Sequence, residues 1–122
     1  MTKAFIHQPD FLPWIGYFIK LAKSDIFIVL DDVQFNRRGF THRDKILSEK
    51  KEKWITVPVK KKGNYRSNIS EIIIDNTYDW QKKHMNLMYY NYKKCRYFEV
   101  NFEKIKKIYE RKFEKLIDFN LE

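Results

Sequence analysis

At 122 residues the chain has the length of one ordinary domain, so a single hydrophobic core is expected and a second independent one is not. Hydrophobic residues make up 43% and charged residues 34%, a balance that suits a packed globule with a solvated surface and argues against a disordered tail. Lysine and arginine total 25 against 16 acids, and the resulting +9 predicts attraction to anions such as nucleotides, nucleic acid, phosphorylated sugars or anionic lipid.

In chain order, Lys3 to His7 is a short apolar stretch that ends at Pro9, which has no backbone donor, so a first strand stops at His7. Asp10 is the expected N-cap of an amphipathic helix of about three turns, with Phe11, Trp14, Ile15, Phe18, Ile19 and Ala22 at helical spacing. Ile26 to Leu30 is a continuous apolar run halted by Asp31 and Asp32, as a strand buried on both faces would be. Strand, helix, strand predicts a parallel pair with a right-handed crossover. His7 and Asp31/Asp32 then lie at the carboxyl ends of neighbouring strands, the edge where open α/β sheets bind ligands. Gln34 to Arg43 reads as a polar loop, Lys45–Leu47 and Trp54–Val59 as a hairpin connected through Ser48 to Lys53, and Lys60 to Asn68 as a basic turn. Ile69 to Asp75 is expected as a further strand. One helix from near Thr77 carries Trp80, His84, Leu87 and Met88 on a face, and a last one carries Phe102, Ile105, Tyr109, Phe113 and Leu116. The fold class is α/β: a small parallel or mixed sheet opened by a strand-helix-strand unit, with two C-terminal helices.

The only cysteine, Cys95, cannot form an internal disulfide, and no signal peptide or membrane-spanning run is present, so cytoplasm is the expected compartment and membrane insertion is not. No glycine-rich phosphate loop, paired-cysteine motif, His-Glu-x-x-His or serine elbow occurs, and His7, His42 and His84 are too scattered for a metal site.

The candidate chemistry sits in the first third. His7 at a strand end could shuttle a proton or donate to a phosphate, with a histidine tied to backbone as the structural alternative. Gln8 adds a neutral donor and acceptor beside it. Gly16, within an aromatic helical segment beside Tyr17, suggests close approach of a backbone or ligand, or helix-to-sheet packing. Asp31 and Asp32 could orient an amine or hold Mg²⁺ through one or two ligands, or could simply cap a turn. Only one of an adjacent pair should face a cleft. Gln34, Asn36, Arg37, Arg38, His42, Arg43 and Lys45 form a concentrated set of anion donors, or a charged surface loop.

Three blocks are distinctive: residues 6–18, from Ile6 through His7-Gln8-Pro9, Pro13-Trp14 and Gly16-Tyr17 to Phe18; residues 24–35, with Asp31-Asp32 and Gln34-Phe35; and Trp54 to Lys60. Together they resemble the WbqC-like family over roughly residues 3–100. The resemblance implies bacterial surface-polysaccharide (O-antigen) biosynthesis and a sugar-modifying transferase, with aminoacyl or acyl transfer to a nucleotide-linked amino sugar. Its motif positions fall here on His7, Gln8, Pro9, Pro13, Trp14, Gly16, Tyr17, Asp31, Asp32, Gln34 and Phe35, with Arg43 and Lys45 in the looser stretch that follows. Members are commonly close to twice this length, which implies that residues 1–122 are a single α/β domain, either the N-terminal part of a longer architecture or a shortened relative.

A weaker likeness, in arrangement alone, is to nucleotidyl-transfer enzymes with a HIGH-type motif, which implies ATP with Mg²⁺ as cofactor. The expected roles are catalysis by His7 and Asp31 or Asp32, and binding of an anionic substrate by Gln8, Gly16, Tyr17, Gln34, Asn36, Arg37, Arg38, Arg43 and Lys45. The rival expectations are a basic nucleic-acid-binding module and a non-catalytic fragment or scaffold.

Overall fold

The computed structural model describes residues 1–61 and 66–122. Residues Lys62, Gly63 and Asn64 of the expected basic turn lie outside the described residues.

Strands β1 (Ala4–His7) and β2 (Ile26–Val29) pair in parallel, in register from Ala4↔Ile26 to His7↔Val29. Helix α1 (Ile15–Ala22) is the crossover between them. It is about two turns long rather than three, and its N-cap is Trp14, not Asp10. Pro13 explains the late start: the residue before a proline is disfavoured in the helical region, and Leu12 instead takes a left-handed φ of 45°. One face of the pair is covered, with Phe5 buried and Phe27 half-buried against Tyr17 at ring-centroid distances of 5.3 and 5.8 Å. The other face leaves Ile6, Ile26 and Ile28 exposed, so β2 is not buried on both sides as its apolar run predicts. A two-stranded pair with one crossover helix has a layer on one side only.

Strands β3 (Arg43–Ser48) and β4 (Lys51–Thr56) form the expected hairpin in a separate antiparallel sheet. The connection is tighter than the predicted Ser48–Lys53. It is a two-residue turn at Glu49 and Lys50, with φ of 50° and 64°, the left-handed pair that matches the twist of the flanking strands. The Tyr92 hydroxyl accepts the Leu47 N–H at 2.9 Å and docks the hairpin on the helical layer.

Ile69–Asp75 is not a strand. Ile69–Glu71 is a 3-10 turn in which the Glu71 carboxylate accepts the Asn68 N–H at 2.9 Å, and Ile73 and Ile74 then make single bridges to Lys115 and Val59. The apolar run still enters the core, where Ile69, Ile72 and Val57 are fully buried. Helix α2 (Trp80–Tyr92) packs on α3 (Phe98–Tyr109), with Tyr89 5.8 Å from both Phe98 and Phe102.

The expected last helix ends at Tyr109. The chain turns back, and a third C-terminal helix, α4 (Leu116–Asn120), follows. The Glu114 carbonyl accepts from Ile74 N–H at 2.8 Å and Leu116 N–H donates to Ile72 at 3.0 Å, so Phe113 and Leu116 reach the core from a turn and a new helix rather than from one stripe. No described helix is long and apolar enough to cross a membrane.

Candidate functional site

His7 is the last residue of β1, and its carbonyl accepts the Leu30 N–H at 2.9 Å, so the ends of both strands are fixed together. The imidazole is half-buried, and its Nδ1 lies 2.8 Å from the Gln8 carbonyl oxygen. A carbonyl only accepts, so Nδ1 carries the proton of the neutral ring and Nε2 keeps its lone pair. The Asp10 carboxylate stands 3.7 Å from the same Nδ1. Tyr17, buried on α1, meets the ring edge-on at 5.1 Å, and Phe5 lies tilted at 5.5 Å. The ring is thus held by a carbonyl, a carboxylate and two aromatic walls.

The polar members of this cluster act on one another. Burial pushes the Asp10 carboxyl above its ordinary range, while His7 pulls it down and Asp44 on β3 pushes it further up. Burial also raises the Tyr17 phenol, with the Asp10 charge adding to the rise. Sequence reasoning placed Asp10 as a helix cap. The signal for its other role was its place three residues from His7, one turn along a chain stiffened by Pro9.

The segment bearing Asp10 is held from a distance. The Asn120 side-chain amide on α4 donates to the Pro9 carbonyl at 2.6 Å and the Thr41 carbonyl at 2.7 Å, and Phe11 N–H donates to Phe40 at 3.0 Å. No local pattern announces a contact 111 residues apart.

Gly16 is explained by its neighbour. A Cβ there would fall 2.0 Å from the Trp14 indole, which lies folded over the helix start and remains 64% exposed. Asp31 and Asp32 follow β2 at the same sheet edge as His7. Asp31 is half-buried, its carbonyl accepting Ser70 N–H at 3.0 Å, and Asp32 is exposed. Among the described residues no group of three His, Cys, Asp or Glu side chains could hold a metal ion.

The 34–45 set does not converge on His7 as one cluster. Arg43 donates to the carbonyls of Gly39 and Arg38 at 3.2 and 2.8 Å and stacks over Trp54 at 4.3 Å, which makes it a clamp on its own loop. Lys45 reaches Glu52 at 2.6 Å across the hairpin and lies 5.3 Å from the same indole. The Asn36 carboxamide oxygen accepts Arg38 N–H at 3.0 Å inside a turn closed by Gly39. Gln34 forms a bridge with Asn68, and Phe35 is buried against His42 at 5.0 Å. Arg38 is exposed, while Arg37 lines a cleft with His42. The two strand-end groups, His7–Gln8 and Asp31–Asp32, thus share one sheet edge, while the basic loop after them divides between a hairpin face built on Trp54 and the Arg37–His42 cleft.

The chain is 40% identical over 98 residues to a protein of Mycobacterium tuberculosis (strain ATCC 25618 / H37Rv), named Uncharacterized protein Rv1507c. The shared stretch covers 80% of this chain and 42% of that relative, so the chain spans less than half the length of the curated protein it matches. No solved structure matches it. The pattern of the WbqC-like protein family matches residues 8–122, which takes in Gln8, Asp10, Tyr17 and Asn120 of the site just described, and the chain belongs to that family.

Proposed function

We propose that this chain carries the site of a sugar-modifying transferase of bacterial surface-polysaccharide biosynthesis, acting in the cytoplasm on the amine of a nucleotide-linked amino sugar. The observation that supports it most is the His7 ring, whose Nδ1 proton is engaged by the Gln8 carbonyl so that Nε2 keeps a lone pair at the carboxyl edge of a parallel strand pair.

In aminoacyl or acyl transfer the amine nitrogen attacks the carbonyl carbon of an activated donor, a C–N bond forms, and the donor's leaving group departs with its electron pair. The amine gives up one proton. His7 Nε2 takes it, and the Asp10 carboxylate beside Nδ1 stabilises the imidazolium that results. Asp31 orients the amine from the neighbouring strand end. If the donor is activated with ATP, one of Asp31 and Asp32 would hold its Mg²⁺, with substrate phosphates supplying further ligands.

The test is mass-spectrometric detection of an acylated nucleotide amino sugar formed by the protein from a panel of activated donors. His7→Gln should reduce product by about a hundred- to ten-thousandfold, the scale of general-base assistance, and Asp10→Asn should reduce it by less. Product formation undiminished in His7→Gln would remove the reading. Salt-sensitive oligonucleotide binding with no turnover would favour a nucleic-acid-binding module, for which the +9 charge speaks.

A further inference from the structure

The chain leaving β4 runs beside the 37–42 loop. Val57 N–H donates to the His42 carbonyl at 2.7 Å, Lys60 N–H to Ile73 at 3.0 Å and Asp75 N–H to Pro58 at 2.8 Å, so the backbones on both sides are fixed. Between them is a cleft of about 590 Å³ lined by Arg37, His42, Lys60, Lys61, Asp75 and Tyr78. That volume is within the range of small-molecule sites.

Its electrostatics select anions. Arg37, Lys60 and Lys61 bring three positive charges to exposed positions on the wall. The one carboxylate, Asp75, already accepts the N–H and hydroxyl of Thr77 at 3.1 and 2.6 Å, and these bonds, together with the charge of Lys60, hold it below the usual carboxylate range. His42 is only 8% exposed, and its Nδ1 is buried with no hydrogen-bond partner. Such a group costs stability until something bonds it.

The cleft also has an aromatic side. Tyr78 is 67% exposed and lines both this cleft and a neighbouring groove of about 790 Å³ between β4 and α2, where Trp54 and Tyr90 are exposed as well. Cations and an open ring on the wall of one cleft match a phosphate ester joined to a planar group.

We propose that this cleft binds the diphosphate of a nucleoside diphosphate or of its sugar ester, with Arg37, Lys60 and Lys61 on the phosphate oxygens and the base stacked on Tyr78. The transferase reading supplies only the sugar. The phosphate site rests on the cleft.

The experiment is isothermal titration calorimetry of the full chain at 150 mM salt with uridine diphosphate, inorganic pyrophosphate and a single-stranded decanucleotide. Both phosphate probes should bind, and Arg37→Ala and Lys61→Ala should each weaken them about tenfold, the loss expected of one charge-assisted hydrogen bond. Tyr78→Ala should weaken uridine diphosphate and leave pyrophosphate unchanged. The charge-matched controls Lys104→Ala and Lys107→Ala on α3 should stay within about twofold, which separates a site from net charge. All these side chains are exposed, so their loss leaves the core intact.

Absence of binding by either phosphate probe, equal losses in the α3 controls, or an oligonucleotide that binds more tightly than uridine diphosphate would overturn the proposal. His7→Gln should leave uridine diphosphate affinity as it is. Binding without turnover would therefore count against the transferase alone, and turnover insensitive to Arg37→Ala and Lys61→Ala against the cleft alone.

Discussion

Acidification should destabilise the fold through His84, and the size of the effect follows from its surroundings. His84 is 4% exposed on α2, with Nε2 2.9 Å from the Thr56 carbonyl and Nδ1 3.2 Å from the Tyr109 hydroxyl. The carbonyl fixes the proton on Nε2, so Nδ1 accepts from Tyr109 and a second proton would confront a donor in a dry site. Burial is the main cause that lowers its pKa from 6.5 to about 4, with Lys83 lowering it further and the Thr56 bond opposing. Because the folded value is the lower one, the unfolded chain takes up the proton first as pH falls. Stability from this group is complete above 6.5, declines between 6.5 and about 4, and is level below that. At pH 5 the decline amounts to about 2 kcal/mol, on 1.36 kcal/mol per pKa unit. Urea unfolding at pH 7.5 and pH 5, followed by far-ultraviolet circular dichroism, would measure it. Carboxylates add their own slope, so the comparison is with His84→Gln, whose amide can still donate to Thr56 but does not titrate. The variant should lose about 2 kcal/mol less than the parent over that interval. Equal losses in the two proteins would refute the reasoning.

Other substitutions test the site's supports. Asn120→Ala leaves the carbonyls of buried Pro9 and Thr41 without their donor but also removes a buried, unpartnered Oδ1, so a net loss of about 2 kcal/mol is expected from urea midpoints. Gly16→Ala should displace the Trp14 indole into solvent with little change in overall stability, because the collision is with an exposed ring and alanine favours the helix. A red shift in tryptophan emission would report it, and an unchanged spectrum would count against the contact. Arg43→Ala should cost about 1 to 2 kcal/mol, since two carbonyl bonds and the Trp54 stack are lost, whereas Lys45→Ala should cost at most about 0.5 kcal/mol because its partner Glu52 is exposed. Thermal melting of the two single variants distinguishes clamp from surface pair.

The parallel pair, its crossover and the hairpin were legible because each rests on local pattern. Pro9 stops β1, Asp31 and Asp32 stop β2, and the apolar runs 45–47 and 54–59 flank the hairpin's charged connection, though not its tight turn at Glu49 and Lys50. What misled was also local. Phe113 and Leu116 continue the spacing of Phe102 and Ile105, and only the bonds of Glu114 and Leu116 to the Ile72–Ile74 segment show that the helix has ended between them. The isoleucines of 69–74 announce burial correctly but not geometry, since a buried apolar run fits a strand as well as a 3-10 turn with single bridges. At the candidate site, His7 and Gln8 could be picked out by residue type at a strand end, and Tyr17 by its place beside Gly16 in an aromatic helical segment. Arg43 and Lys45 carry the right charge for anions, yet their nearest partners are carbonyls, an indole and Glu52, contacts set by the hairpin register. Asp10 reads in sequence only as a helix cap, and Pro13 removes that role by delaying α1.

The Asn120 amide also sets an order in time. It joins Pro9 to a side chain that leaves the ribosome 111 residues later. At roughly 5 to 20 residues per second that interval is on the order of ten seconds. During it the His7–Asp10 turn and the Thr41 segment ahead of β3 are without the amide that bonds both. Of the two partners the turn is made first yet is locked only by the second, and a nascent protein should acquire this site only when α4 has emerged.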